Sequence, residues 1–154
     1  MINLCVSRLG RPDRLFCYGT LCLPEIMRSV CGGLPEALPA HLMDYACYVL
    51  TGRLYPAIVP AKGESVGGVL YTGVRQAQFA RLDTYEGGEY RRSQVWLETG
   101  GDRLRAWTYV LRPRYYHRLS RRRWSPEQFR REQLKFYIAN RHYTHYGLHG
   151  RDAT

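Results

Sequence analysis

Leu15 to Tyr18 is a short apolar run closed by Gly19, which predicts a buried strand that stops at a tight turn. Pro24 and Glu25 open a brief helix that runs to about Val30, and Gly32-Gly33 end it. Apolar material from Pro39 to Tyr48 carries His41, Asp44 and Tyr45. In the next stretch, 51–60, Pro56 and Pro60 bracket a few β-prone residues, so an edge strand or a loop bordering a pocket is expected there. Val66 to Val74 reads as a strand whose glycines allow bends or close backbone approach, as in small curved sheets. Gln76 to Tyr85 has helical spacing, and Tyr90–Glu98 and Arg103–Leu111 alternate as two strands joined by a Thr99-Gly100-Gly101-Asp102 turn.

Beyond Pro113 this patterning breaks. Residues 112–123 read as a basic linker with Tyr115 and Tyr116 embedded in it. A helix over 126–141 follows, with Ser125 as N-cap, Pro126 at its first position, Gln128 completing a capping box, and Trp124 against Phe129 as a hydrophobic staple. The pattern predicts an α+β chain in three parts: an extension, 1–13; one domain, 14–111; and the basic linker with its C-terminal helix, 112–154, packed on that domain.

Composition changes this picture little. The chain has 154 residues, 45% of them apolar, and thirteen tyrosines, enough for one packed core. No apolar stretch approaches the roughly 18 residues of a membrane span. The first 15 residues are interrupted by Arg8, Arg11, Pro12, Asp13 and Arg14, so they lack the apolar centre of a secretory signal. A soluble, cytoplasmic protein with no membrane partner is the expectation. The five cysteines, Cys5, Cys17, Cys22, Cys31 and Cys47, show no C-x-x-C pair and read as free thiols in a reducing compartment.

Charge is uneven. Of the formal +10, most falls in residues 112–154, where eleven Lys or Arg face only Glu127, Glu132 and Asp152. That tail, with its interleaved aromatics, is a candidate contact for nucleic acid; a solvated arm, or one lying over acidic groups of the same fold, is the other reading. His142, His145 and His149 hint at a metal cluster but have no carboxylate partner, so no metal site is assigned.

Candidate chemistry begins at Glu86. Phe79, Leu82 and Glu86 fall at i, i+3 and i+7, so a helix continued that far turns the carboxylate toward its buried face. An inward Glu is a candidate general base, because burial raises its pKa toward the working pH. Pairing with Arg81, Arg91 or Arg92 would instead make it a structural ion pair. On spacing alone both readings stand.

Five strings in order extend the argument: FCYGTL at 16–21, GRLYPAIVP at 52–60, VGGVLY at 66–71, LDTYEGGEYRR at 82–92 and AWTYVL at 106–111. Together they resemble the gamma-glutamylcyclotransferase-like superfamily, in its avirulence-induced-gene-like and gamma-glutamylamine cyclotransferase branch. The resemblance covers 14–111, and 124–137 is similar to the family's C-terminal helix. It implies a small twisted mixed β-barrel flanked by helices, with the pocket at the barrel mouth. It also implies Glu86 as the acid-base residue, a substrate-binding turn at Tyr18, Gly19, Thr20 and Leu21, and pocket contacts from Tyr55, Pro56 and Tyr90. The implied reaction releases 5-oxoproline and a free amine from a gamma-glutamyl compound, and needs no metal or cofactor. A small-molecule-binding module of the same fold, with its basic tail on nucleic acid or a partner protein, is the alternative. Asp83 is a rival to Glu86, and Arg53 is either a partner for a substrate carboxylate or a strand-end decoration.

Overall fold

A computed structural model describes residues 13–139 of the chain. Six strands follow one another as β1 (Leu15–Cys17), β2 (Glu36–Leu50), β3 (Pro56–Thr72), β4 (Tyr90–Thr99), β5 (Asp102–Leu111) and β6 (Leu119–Arg123). The helices are α1 (Pro24–Cys31), α2 (Gln76–Glu86), α3 (Pro126–Glu132) and α4 (Leu134–Ala139). Neighbours run β3-β1-β5-β4-β2-β6, and β2 also pairs β3, so the first five strands close on themselves while β6 extends an edge. Only β1 against β5 is parallel, with Leu15 opposite Trp107; the result is a five-stranded mixed barrel. Closure leaves few unpaired strand edges.

Two apolar clusters divide the molecule. Phe16, Tyr18, Leu42, Ile58, Leu70, Val95, Leu97 and Ala106 belong to one, built from the strands alone. A second gathers Leu15, Tyr71, Tyr90, Tyr109 and Leu111 from the strands with Ile26, Met27, Phe79, Leu82, Tyr85, Phe129 and Tyr137 from the helices. Successive strand residues point to opposite faces, so one short sequence such as Leu15-Phe16-Cys17 feeds both clusters.

The prolines of 51–60 do not make a loop. Pro56 opens β3, a 17-residue strand, and from Pro56 to Pro60 this strand is paired with β2 alone, because β1 meets it only at residues 69–71. One flank lacks a ladder there, and proline's missing N–H costs nothing on that side. Pro39 of β2 is placed in the same way: it faces Val69 of β3, while β4 reaches β2 only at His41 and Leu42. Between Met43 and Tyr45 the β2–β3 register shifts, with Asp44 at φ 65° and its carboxylate accepting the Gly63 N–H at 2.9 Å. Both long strands bend at this bulge.

Residues 112–123, expected as a linker, are ordered as a 3-10 turn over Pro113–Arg118 followed by β6. Their arginines meet acids of the same chain. Arg118 lies 3.1 Å from Glu89, and Arg123 lies 2.7 Å from Glu64. In the helix that follows, Arg130 grips both oxygens of Glu25 at 2.7 and 3.1 Å. Exposed pairs of this kind stabilise little individually, but they show where part of the tail's charge is directed.

The helix expected over 126–141 breaks at Gln133, whose backbone leaves the helical region at φ −130°. In an unbroken helix Phe129 and Leu134 would lie about 140° apart around the axis; with the break, both are buried. Ser125 caps α3 by accepting the Gln128 N–H at 3.2 Å, and Trp124 stacks on Phe129 with centroids 5.7 Å apart. The reciprocal half of the capping box is absent, since the Gln128 amide turns to Glu132. His142, His145, His149 and Cys5 lie outside the described residues.

Candidate active site

Gly68 lets the first strand come close enough to build the site. A Cβ at Gly68 would fall 2.2 Å from the Cys17 carbonyl oxygen and under 3 Å from the Phe16 ring, so only glycine admits this approach of β1 to β3. Past Cys17 the chain enters the Tyr18-Gly19 turn, and a single 3-10 turn, Thr20–Cys22, follows. Its hydrogen bonds start with the Cys22 N–H on the Gly19 carbonyl at 3.0 Å and the Leu23 N–H on that of Thr20 at 3.1 Å. Neither the Thr20 nor the Leu21 N–H takes part in closing the turn. The Tyr71 hydroxyl donates to the Leu21 carbonyl at 2.7 Å and fixes the far end.

Opposite this turn, α2 delivers Glu86. Gln78 accepts the Arg75 N–H at 2.9 Å and closes the start of the helix, while Phe79, Leu82 and Glu86 are all buried, as their spacing predicts. Gly87, at φ 79°, ends the helix immediately after the acid. A cleft results, lined by Phe16, Cys17, Tyr18, Gly19, Thr20, Leu21, Pro56, Glu86 and Tyr109. Gly19 sits under Pro56, where a Cβ would come within 3.2 Å of the proline ring.

Glu86 is 7% exposed. Burial, and secondarily the charge of Asp83 one turn earlier, push its carboxyl up to about 8. The same environment acts on its neighbours: burial first, then the Glu86 charge, raises the Tyr18 hydroxyl well above its ordinary value. Cys17 is likewise raised by burial, then by Cys22 and Glu86, so its thiol stays protonated and is a poor nucleophile. Cys17, Cys22, Cys31 and Cys47 are all free thiols.

Asp83 has a different environment. Arg92 binds it at 2.9 Å, and the Tyr109 hydroxyl donates to it at 2.6 Å. Arg92 itself lies over the rings of Phe79 and Trp107 at 4.6 and 4.7 Å. The Arg-paired carboxylate of this helix is therefore Asp83, and Glu86 is the one that lines the cleft.

Of the residues singled out in the sequence, Tyr18, Gly19, Thr20, Leu21, Pro56 and Glu86 meet on this cleft. Tyr55 and Tyr90 stand one layer back. The Tyr90 hydroxyl donates to the Pro56 carbonyl at 2.7 Å, and Tyr55 packs on Tyr90 with centroids 6.5 Å apart. Arg53 lies elsewhere, in a depression with Arg122, Trp124 and Gln133. Phe16, Cys17 and Tyr109 line the cleft without having been singled out as site residues. All three belong to strings already quoted, FCYGTL and AWTYVL, and the signal was their position at the strand ends facing the turn. Among the described residues no group of His, Cys, Asp and Glu is arranged to hold a metal, and no helix is long and apolar enough to cross a membrane.

A family model described as gamma-glutamyl cyclotransferase, AIG2-like, matches residues 15–134. AIG2-like protein D of Arabidopsis thaliana is 32% identical over 99 residues, which cover 62% of this chain and 65% of that protein. Protein AIG2 B of the same plant is 33% identical over 98 residues, covering 62% and 58%. The chain thus spans about two thirds or less of the length of these relatives. A solution structure of an Arabidopsis thaliana protein superposes with a TM-score of 0.62 at 27% identity, covering 82% of this chain and 77% of that one. A solved gamma-glutamyl cyclotransferase shares the fold, with a TM-score of 0.59 at 20% identity over 66% of this chain and 72% of its own.

Proposed function

Because the chain belongs to the AIG2-like gamma-glutamyl cyclotransferase family, we propose that it closes the glutamyl end of a gamma-glutamyl amine or peptide into 5-oxoproline and releases the amine. The observation that carries this reading is Glu86: a buried carboxyl with its pKa pushed up to about 8, set on the same cleft as the Tyr18–Leu21 turn. A base with that pKa is matched to accepting a proton from an ammonium near neutral pH.

The substrate's α-ammonium gives one proton to the Glu86 carboxylate, and the neutral amine attacks the side-chain carbonyl carbon. A new C–N bond closes a five-membered ring and the carbonyl oxygen becomes an oxyanion. As the oxyanion collapses, the bond to the leaving nitrogen breaks and Glu86 returns a proton to it. Across the whole reaction two protons leave the α-nitrogen and two arrive on the departing amine, so Glu86 ends as it began. Acid-base assistance of this kind is typically worth about 10²- to 10⁴-fold in rate.

The Gly19, Thr20 and Leu21 amides serve the carboxylate or the oxyanion of the folded substrate. Pro56, held by Tyr90 and Tyr55 behind it, forms the wall against which the glutamyl chain bends. Asp83 takes no proton in this scheme, since Arg92 and Tyr109 hold it as an anion.

The test is a panel of gamma-glutamyl amines and gamma-glutamyl peptides offered to purified protein, with 5-oxoproline and free amine both quantified. Equimolar release from at least one member is expected. Release from none would sink the proposal.

A further inference from the structure

Three buried hydroxyls connect the C-terminal helix to the candidate site. Thr20 Oγ1 lies 2.6 Å from the Tyr85 hydroxyl, and the Tyr85 hydroxyl bonds that of Tyr137 in α4. Thr20 and Tyr137 are 1% exposed, as is Tyr85. Thr20 lines the cleft, Tyr85 directly precedes Glu86, and Tyr137 lies more than fifty residues further along the chain. Burial, and then the neighbouring Tyr137, raise the Tyr85 hydroxyl well above its ordinary value, so it remains a protonated donor throughout any working pH range.

Each hydroxyl has one hydrogen to give and can accept from a neighbour. A row ordered from Tyr137 to Tyr85 to Thr20 uses one hydrogen per bond and leaves Thr20 to direct its own toward an acceptor in the cleft. The reverse order would spend the Thr20 hydrogen on Tyr85. Successive bonds of one sense also polarise each other, which makes the last donor stronger.

We propose that Tyr137 and Tyr85 are positioning residues that set the Thr20 hydroxyl as a donor to the α-carboxylate of the bound glutamyl group. The proposal rests on reading the Glu86 cleft as a glutamyl site. The α-carboxylate is the ligand chosen because it is a permanent anion at the end that all gamma-glutamyl compounds share, and a hydrogen bond to a charged group exceeds one to a neutral carbonyl. The C-terminal helix thereby contributes to substrate recognition through the side chain of Thr20 without touching the substrate itself.

The experiment uses two lactams on the full chain: 5-oxoproline, which keeps the carboxylate, and 2-pyrrolidinone, which lacks it, with Kd read by nuclear magnetic resonance titration. Thr20→Val is expected to weaken 5-oxoproline by about tenfold or more, the usual loss of a hydrogen bond to a charged group. Tyr137→Phe is expected to weaken it by about threefold to tenfold while leaving 2-pyrrolidinone unchanged. In turnover, Tyr137→Phe raises KM with kcat nearly constant. The double variant Thr20→Val/Tyr137→Phe should bind no worse than Thr20→Val alone, because the relay acts only through Thr20.

Three results would overturn the relay: Tyr137→Phe binding 5-oxoproline like the parent, weakening both lactams equally, or adding its full effect to that of Thr20→Val. Should Tyr137→Phe fail to fold, Tyr85→Phe carries the same test. A parent protein that binds neither lactam and turns over no gamma-glutamyl compound overturns instead the glutamyl reading of the cleft.

Discussion

Tyr109 donates its hydroxyl to Asp83 at 2.6 Å, and Tyr109 also lines the cleft that holds Glu86. One tyrosine thus touches the partnered acid of helix α2 and borders the site of the buried one. The arrangement assigns the two carboxylates different roles, in the way environments that push neighbouring pKa values apart assign acid and base.

Asp83→Asn follows from that separation. Removing the charge takes away the lesser of the two causes that raise Glu86, so the Glu86 pKa falls but stays above the ordinary value because burial remains. The rising limb of kcat/KM against pH should move to lower pH, and kcat should fall by much less than the roughly 10²-fold minimum expected for losing an acid-base group. A pH–rate series on parent and variant checks both. A loss as large as that of Glu86→Gln would make Asp83 the working acid.

Glu86 also predicts a pH dependence of stability. Its folded pKa of about 8 stands above the ordinary 4.5, so between these values the folded chain binds more protons than the unfolded chain. Stability from this group is therefore fully present below about pH 4.5 and declines as pH rises toward 8. Glu86→Gln removes the decline. Thermal unfolding should show the variant gaining on the parent across that window, with a difference of a few kcal/mol at the alkaline end. A difference that does not vary with pH would mean that Glu86 is not held neutral in the fold.

The close approach of β1 and β3 can be tested with alanine. Gly68→Ala places a methyl 2.2 Å from a backbone oxygen and should destabilise at or above the top of the usual range for overpacking, about 1–3 kcal/mol. Gly19→Ala meets only the flexible edge of the Pro56 ring at 3.2 Å, so stability should change less while the cleft narrows. Gly88→Ala meets nothing within 4 Å and serves as the neutral control. Denaturant unfolding of the three variants gives the ranking.

Local pattern carried much of this fold and less of its closure. The hairpin of β4 and β5 pairs Tyr90 with Leu111 through to Thr99 with Asp102, as the alternation and the Gly100-Gly101 turn predict. Glu86 was legible for a similar reason, because helical spacing ties its direction to those of Phe79 and Leu82. The long strands β2 and β3 were not, since Pro39, Pro56 and Pro60 argue against a ladder until it is known which flank lacks a partner. β6 was hidden by Arg121, Arg122 and Arg123, residues that suit an exposed edge strand but mimic a solvated linker. Tyr85 and Tyr137 reach Thr20 only through long-range packing, which no local spacing encodes.

The account's central claim is that the Glu86 carboxylate moves the proton in ring closure. Single-turnover formation of 5-oxoproline at pH 8, compared between the parent and Glu86→Gln with equal binding of 5-oxoproline confirmed, tests it most directly. A loss of about 10²- to 10⁴-fold in the chemical step is predicted; a variant that closes the ring within a few-fold of the parent rate would contradict it.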